Sequence, residues 1–306
     1  MCMAFAFIIS IAVLALSWAS DVILVKLGGS AITDKSKYET LRGLSLKRTA
    51  EQLALRGSAV KHVLCHGAGS FGHFDARRYS LSTGGQPSSW TEGFAVTHQS
   101  VRKLTSLVLR AMRKASKSTD VVHIPLFPFV TTRSRYNLQD DGPLGRESLE
   151  SLLDAGLTPL FHGDVVLDKG NQNCSIFSGD RILCTIASAL KKSGRYRVKA
   201  AVFLTDLPGV YDKNPALHRD ARLIRHVSVD RRGNLVMPGR GVVDGSSSSK
   251  GVVDVTGGIR AKLDAAAQMA KIGVPVYIVQ VGTAHALQAL RGEVPDIGTA
   301  VVANIQ

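Results

Sequence analysis

Cysteine is scarce: Cys2, Cys65, Cys174 and Cys184 are the whole complement of a 306-residue chain. No two form a CxxC and none has a histidine at metal-ligand spacing. That excludes a zinc ribbon, a thioredoxin-type motif and a small disulfide-stapled fold. The four read as reduced, core-filling thiols. Acidic residues are also few, 24 against 38 Lys and Arg, for a formal net charge of +14. Such a balance suits nucleic acid, an anionic membrane surface or small polyanions, and charge alone does not choose among them. Aromatic residues make up only 6% of the chain. The basic helical stretch carrying Arg102, Lys103, Arg110, Arg113, Lys114 and Lys117 therefore lacks the aromatic interleaving of an RNA-binding surface and reads as a solvated face. Nucleic acid is not an expected partner.

Charge is missing altogether from residues 1–20; the first charged residue is Asp21. An apolar run of about 19 residues is near the lower limit for crossing a bilayer. As a signal peptide it offers a small-x-small end at Ser17-Trp18-Ala19 but lacks the positively charged start. A strand begins directly after Ser20-Asp21, which leaves almost no linker. The expected location of the mature domain is the cytoplasm, with membrane association only through residues 1–20; a tether or the secretory pathway is the alternative. In a secretory lumen Asn173-Cys174-Ser175 would be a glycosylation site.

With 45% hydrophobic and 20% charged residues, 29 glycines and 10 prolines, the chain is neither disordered nor collagen-like. It is long enough for one large α/β domain or two lobes sharing a sheet. Apolar β-branched runs at 22–27, 60–65, 121–125, 159–162, 198–204 and 274–279 predict strands. Periodic stretches at 45–56, 97–117, 146–155, 181–192 and 259–271 predict helices between them, the pattern of a largely parallel sheet covered by helices. Gly57, Gly156, Gly194 and Gly273 each fall just past a helix, where a left-handed cap is easiest for glycine. The segment 230–251, rich in Gly, Arg and Ser, reads as a flexible excursion.

Two glycine loops carry the chemistry. The first strand runs into Lys26-Leu27-Gly28-Gly29-Ser30, where paired glycines let the backbone approach a bulky anion and present N–H groups to it. The loop nearly matches a P-loop, but Asp34 stands where a second glycine is required, and a carboxylate there would repel phosphates. An ordinary Gly-Gly turn after an edge strand is the plainer reading. The second strand ends in His66-Gly67-Ala68-Gly69-Ser70-Phe71-Gly72-His73, a GxGxxG match. No strand and acidic residue follow where ribose binding would need them, so a nicotinamide oxidoreductase is only an alternative. Two such loops at neighbouring strand ends suggest two anions facing each other, as in phosphoryl transfer. Their repulsion requires cations, for which Lys26, Lys35 and Lys262 are candidates together with Mg²⁺.

The ordered segments KLGGS with TDK close behind, HGAGSFGH, HGDVVLD, SGD, TDLPGVY and DVTGGIRAK resemble the amino acid kinase superfamily. His73 with the segments 205–211 and 254–258 resembles its isopentenyl phosphate kinase family, over nearly all of the chain beyond the leader. The resemblance implies a three-layer α/β/α sandwich around a mainly parallel sheet, with an acceptor lobe at about 21–180 and a nucleotide lobe at about 181–306. It implies ATP-dependent phosphorylation of isopentenyl phosphate to isopentenyl diphosphate, with dimethylallyl phosphate as a second acceptor, Mg²⁺ alongside ATP, and a homodimer.

By the same resemblance Lys26 contacts the transferring phosphoryl group, Leu27, Gly28, Gly29 and Ser30 line the ATP phosphates, and Lys35 supports the charge nearby. Ala68 and Gly69 place N–H groups near the acceptor and γ-phosphates, Gly179 joins the acceptor site, and His73 donates to the acceptor phosphate. Asp180 holds the lysines in position. Asp206 and Gly209 lie beside the nucleotide, as does Gly257, while Lys262 reaches the β- and γ-phosphates. No residue is assigned as a metal ligand. Plainer readings stand beside these: His73 as a helix-start or core histidine, Asp180 as a helix N-cap, and Asp164 as either a site residue or a strand-end turn. Ala68 stands where many relatives carry glycine, and segment 230–251 is longer and more basic than expected. Residues 90–101 and 127–137 are expected to supply an apolar pocket for a five-carbon tail, worth about 0.8 kcal/mol per buried CH₂. The alternatives are a sibling kinase with another small anionic acceptor, and a non-catalytic ATP-binding sensor.

Overall fold

The computed structural model describes residues 20–57, 59–116, 120–125, 145–168, 173–237, 241–243 and 257–304. The apolar leader up to residue 19, the segment 127–137 and the serine run at 246–249 lie outside them. Ser20, read with the leader, instead opens the first strand.

The chain begins with β1 (Ser20–Leu27), a single helical turn α1 (Gly29–Ile32), α2 (Gly43–Ala54) and β2 (Lys61–His66). A 3-10 turn at Gly69–Phe71 leads to α3 (His73–Arg78), and the long α4 (Trp90–Ala115) follows. Then come β3 (Val121–His123), α5 (Arg146–Asp154), β4 (Thr158–His162), a hairpin of β5 (Asp164–Leu167) and β6 (Cys174–Phe177), α6 (Gly179–Ser193) and β7 (Tyr196–Thr205). The remainder holds β8 (Val210–Tyr211), β9 (Leu223–Ile224), β10 (His226–Val229), β11 (Leu235–Met237), β12 (Gly241–Val243), α7 (Gly257–Lys271), β13 (Val276–Gln280), α8 (Ala284–Leu290) and β14 (Thr299–Ala303).

Among the described residues ten strands form one sheet in the order β12-β11-β10-β14-β13-β7-β1-β2-β4-β3. The run from β13 to β3 is parallel throughout, and β14 turns antiparallel against β13. β1 lies at the centre rather than at an edge, because its apolar run has no polar face. Val22 and Leu24 face one layer with α5, α6 and α7, while Ile23, Val25 and Leu27 face the other with α2, α4 and α8. Burial on both faces is what a continuous hydrophobic strand in a parallel sheet requires. The expected α/β/α sandwich is what forms. Gly57, Gly156, Gly194 and Gly273 all adopt positive φ, from +70° to +85°, as their positions after helices predict. No helix among the described residues is long and apolar enough to cross a membrane.

Two expectations need correction. Helix α4 starts at Trp90, seven residues before the periodic pattern suggests, because Gly93 allows its first turn to press against the Tyr79 ring. The segment read as a flexible excursion instead carries β11 and β12, which extend the sheet as an antiparallel ribbon. Its turn has specific chemistry: Asn234 N–H donates to Asp230 Oδ1 at 2.8 Å, and Gly233 takes φ +94°. Leu235 and Met237 are buried on one face.

Leu24 is wholly buried in the central strand. Leu24→Ala is expected to cost about 3 kcal/mol of unfolding free energy, read by urea denaturation; a loss below about 1 kcal/mol would contradict this account of the core.

Candidate active site

Parallel strands whose registers align end together. Leu27 lies opposite both His66 of β2 and Leu204 of β7, and His66 lies opposite His162 of β4. The loops that follow these four strands therefore share one edge of the sheet, where ligands of open α/β folds bind. Each loop continues the ladder for one more bond: Gly28 N–H to Leu204 O at 2.9 Å, Gly67 N–H to Leu27 O at 2.9 Å, and Gly163 N–H to His66 O at 3.0 Å.

The two glycine loops touch. A Cβ on Gly29 would lie 2.7 Å from both N and Cα of Gly69, and a Cβ on Gly69 would lie 2.1 Å from Thr33 Oγ1. Gly69 also takes φ +53°, a region L side chains rarely adopt. Thr33 ties the contact, donating from Oγ1 to Gly29 O at 2.7 Å while accepting Ser70 N–H at 3.0 Å. In α1 the N–H groups of Ala31 and Ile32 donate to Gly28 O at 3.0 and 3.3 Å, whereas those of Gly29 and Ser30 have no acceptor within the turn.

Cations surround it. Lys26 shares a strand face with Val22 and Leu24, the face covered by α6, so its ammonium emerges beneath that helix. There Nζ lies 2.8 Å from Asp180 Oδ1. The N-cap of α6 is Ser178, which accepts Arg181 N–H, so Asp180 is free of that duty. Asp206, just past β7, accepts Ser30 Oγ–H at 3.1 Å and lies 3.5 Å from Arg42. Burial lowers the pKa of Lys35, an effect Asp206 opposes. Burial, then the charge of Lys26, pushes Lys262 down to about 8. His73 is held below its ordinary value, by burial first and Lys35 second. Its imidazole is therefore neutral near pH 7, with one N–H to donate.

These groups line one cleft of about 470 Å³. Lys26, Gly28, Gly29, Ser30, Lys35, Ala68, Gly69, His73, Gly179, Asp180, Asp206 and Lys262 all contribute to its wall. Two other candidates do not: Leu27 is wholly buried in the core below, and Gly209 packs against Thr299. Gly257 is the first residue of α7, and its surroundings lie outside what the structure describes. Part of the wall is apolar: Ala76 from α3, Thr97 and Val101 from α4, Val165 and Ile176 from the hairpin. Thr97 and Val101 fall within the stretch 90–101 expected to form a tail pocket. The hairpin residues and Thr33 carry no role in the sequence reading. Thr33 is visible there only as the first letter of TDK, and nothing local marks Ile176.

Among the described residues no three His, Cys, Asp or Glu side chains converge as a metal cage. Asp180 and Asp206 are instead engaged by Lys26 and by Ser30. The site is built to hold anions, and protein ligands alone do not define a cation position.

The amino acid kinase family model matches residues 21–280. The chain is 33% identical to an isopentenyl phosphate kinase of Arabidopsis thaliana, over 89% of this chain and 91% of that protein. It is 30% identical to an isopentenyl phosphate kinase of Thermoplasma acidophilum, over 84% and 91%. A crystal structure of isopentenyl phosphate kinase superposes with TM-score 0.69 at 26% identity, covering 91% of this chain and 99% of the other.

The loop contact makes a contrast between two glycines. Gly69→Ala is expected to lose about 2 kcal/mol or more of stability, since both φ and Thr33 oppose a Cβ. Gly43→Ala, in α2 with nothing within 4 Å of its Cβ, should be neutral or stabilising by up to about 1 kcal/mol. Equal melting temperatures for the two variants would contradict the close approach.

Proposed function

The chain belongs to the amino acid kinase family, and from that premise we propose that it transfers the γ-phosphoryl group of ATP to isopentenyl phosphate, giving isopentenyl diphosphate and ADP. The observation that carries the reading is the Gly29–Gly69 contact, which puts two backbone cradles in one cation-lined cleft.

The chemistry asks little of a base. A phosphate monoester has a second pKa near 6 and is largely dianionic at neutral pH, so an acceptor oxygen is already a nucleophile. It attacks Pγ in line; the new O–Pγ bond forms as the bond from Pγ to the β-bridging oxygen breaks, and ADP leaves with that electron pair. The obstacle is repulsion. Two unit charges 4 Å apart at an effective dielectric of 20 cost about 4 kcal/mol, roughly three orders of magnitude in rate. Lys26, Lys35 and Lys262 offset that term in a partly dehydrated cleft. His73, neutral, donates its N–H to the acceptor phosphate and orients it. Mg²⁺ would enter with ATP rather than in a protein cage, and would neutralise part of the charge on the group in transfer. The five-carbon tail lies along Ala76, Thr97, Val101, Val165 and Ile176, with dimethylallyl phosphate fitting the same wall. In this reading residues 21–180 hold the acceptor and 181–306 most of the nucleotide. A homodimer in the cytoplasm that does not bind nucleic acid belongs to the same proposal.

Incubating the protein with ATP, Mg²⁺ and isopentenyl phosphate should yield isopentenyl diphosphate by phosphorus NMR. A folded protein that forms none overturns the reading. His73→Ala is expected to raise the acceptor KM by about 10- to 100-fold, the loss of a hydrogen bond to a charged group, without removing an acid limb from the kcat profile; loss of such a limb would make His73 a base.

The sign of one pH effect follows from Lys262. Below about pH 8 it is protonated and attracts ATP; above, it is neutral and one favourable charge is gone. ATP affinity should therefore weaken as pH rises through about 8, and Lys262→Arg, protonated throughout, should lose that inflection. Calorimetric titration between about pH 6.5 and 9.5 reads both, and a flat wild-type profile would contradict the assignment.

A further inference from the structure

Among the described residues the hairpin β5–β6 pairs with no strand of the main sheet, yet Val165 and Ile176 form part of the cleft wall. A two-stranded ribbon is marginal by itself and needs an anchor. Its apolar anchor is a small cluster of Val165, Cys174, Tyr79 and Leu81, with Phe94 and Ile176 packed against it. Such contacts are non-directional; Asn173 Nδ2 donates to Gly84 O at 3.3 Å and Cys174 Sγ to Leu81 O at 3.7 Å, which tie the β6 side of the ribbon to the turn at 81–84.

A directional anchor sits at the root of the hairpin. Asp164 has a side chain only 1% exposed, and its Oδ2 lies 2.6 Å from His98 Nδ1 of α4. Its Oδ1 accepts the N–H of Val165 at 2.8 Å. The other nearby imidazole, His162, has Nδ1 3.6 Å from the same Oδ2, and burial pushes it down to about 3. It therefore brings no positive charge to the carboxylate and stands beyond hydrogen-bond distance. His98 lies between Thr97 and the turn that carries Val101, both lining the cleft. The hydrogen bond thus joins the two walls, α4 and the hairpin, directly beside the apolar stretch.

The same root reaches the charged end. A Cβ on Gly163, next to Asp164, would lie 2.7 Å from Gly179 N, and one on Gly179 would lie 3.0 Å from Lys26 Cε. Gly163 thus packs on the backbone of Gly179, which in turn lies against the Lys26 side chain.

We propose that His98 and Asp164 are positioning residues which fix the width of the acceptor slot and thereby the discrimination between short and long alkyl monophosphates. The proposal rests on the acceptor assignment above. It is specific about geometry: the donor must be at the δ position of residue 98. Asn presents its amide N–H near the place of Nδ1, whereas Gln carries it one carbon further, near Nε2.

The test compares His98→Asn with His98→Gln, measuring kcat and KM for isopentenyl phosphate, for a ten-carbon prenyl monophosphate and for ATP. His98→Asn should stay within about threefold of wild type in acceptor KM, while His98→Gln raises it about tenfold or more. In His98→Gln the preference for the five-carbon over the ten-carbon acceptor, as a ratio of kcat/KM, should fall by about tenfold. The ATP KM should move by less than about twofold in both. Indistinguishable acceptor KM values in the two variants overturn the proposal, as does a parallel rise in the ATP KM. Loss of cooperative melting in both overturns it too, by making the pair a prop of the fold. Wild-type turnover of isopentenyl phosphate is the control. Its absence sinks the acceptor assignment and this pair's role together, whereas turnover with an unmoved His98→Gln sinks the pair's role alone.

Discussion

Backbone meeting backbone at Gly29 and Gly69 is the constraint on which the rest of the site depends. Side chains at either position would hold the loops after β1 and β2 apart, and two anionic ligands would then bind in separate pockets. With neither present, Thr33 bridges both loops through one hydroxyl, and residues of both loops line a single cleft. Reaction between two phosphates needs this proximity, and proximity creates the repulsion that the rest of the cleft counters.

The countering charges come from places far apart in the chain. Lys26 lies on the central strand, Lys35 in the loop after α1, and Lys262 in α7, and burial weakens the protonation of the last two. A cluster of ammonium groups that close is unfavourable in the empty protein. Asp180 and Asp206 offset part of that cost: Asp180 by an ion pair with Lys26, Asp206 through the field it exerts on Lys35 and Lys262. A bound polyphosphate would relieve the remainder, so the strain of like charges in the free state becomes affinity for anions.

Much of this was legible before any coordinates. The alternation of apolar runs and periodic stretches gives the layers because burial on both faces of a parallel strand leaves no polar positions. Gly57, Gly156, Gly194 and Gly273 mark helix ends because only a left-handed residue closes them cheaply. Lys26, Gly28, Gly29, Gly69, His73, Asp180 and Lys262 sit in compact motifs whose chemistry is local. Other features are invisible at that range. The strands β11 and β12 are three residues each and sit among Arg231, Arg232 and Arg240, and their pairing is decided by an edge that the sequence does not display. Ile176 and Thr33 matter through what they touch, and Gly209 sits in a recognisable motif yet spends its missing side chain on packing against Thr299.

By itself the sequence determined the α/β class, the two glycine loops at strand ends and the identity of the cations, since each follows from short-range spacing and residue chemistry. Only the tertiary structure decided that the loops meet, that Lys26 pairs with Asp180 across 154 positions, and that the hairpin is tied to α4 by His98 and Asp164. Those are distances between segments remote in the chain, set by sheet register and layer packing, and no local pattern encodes them.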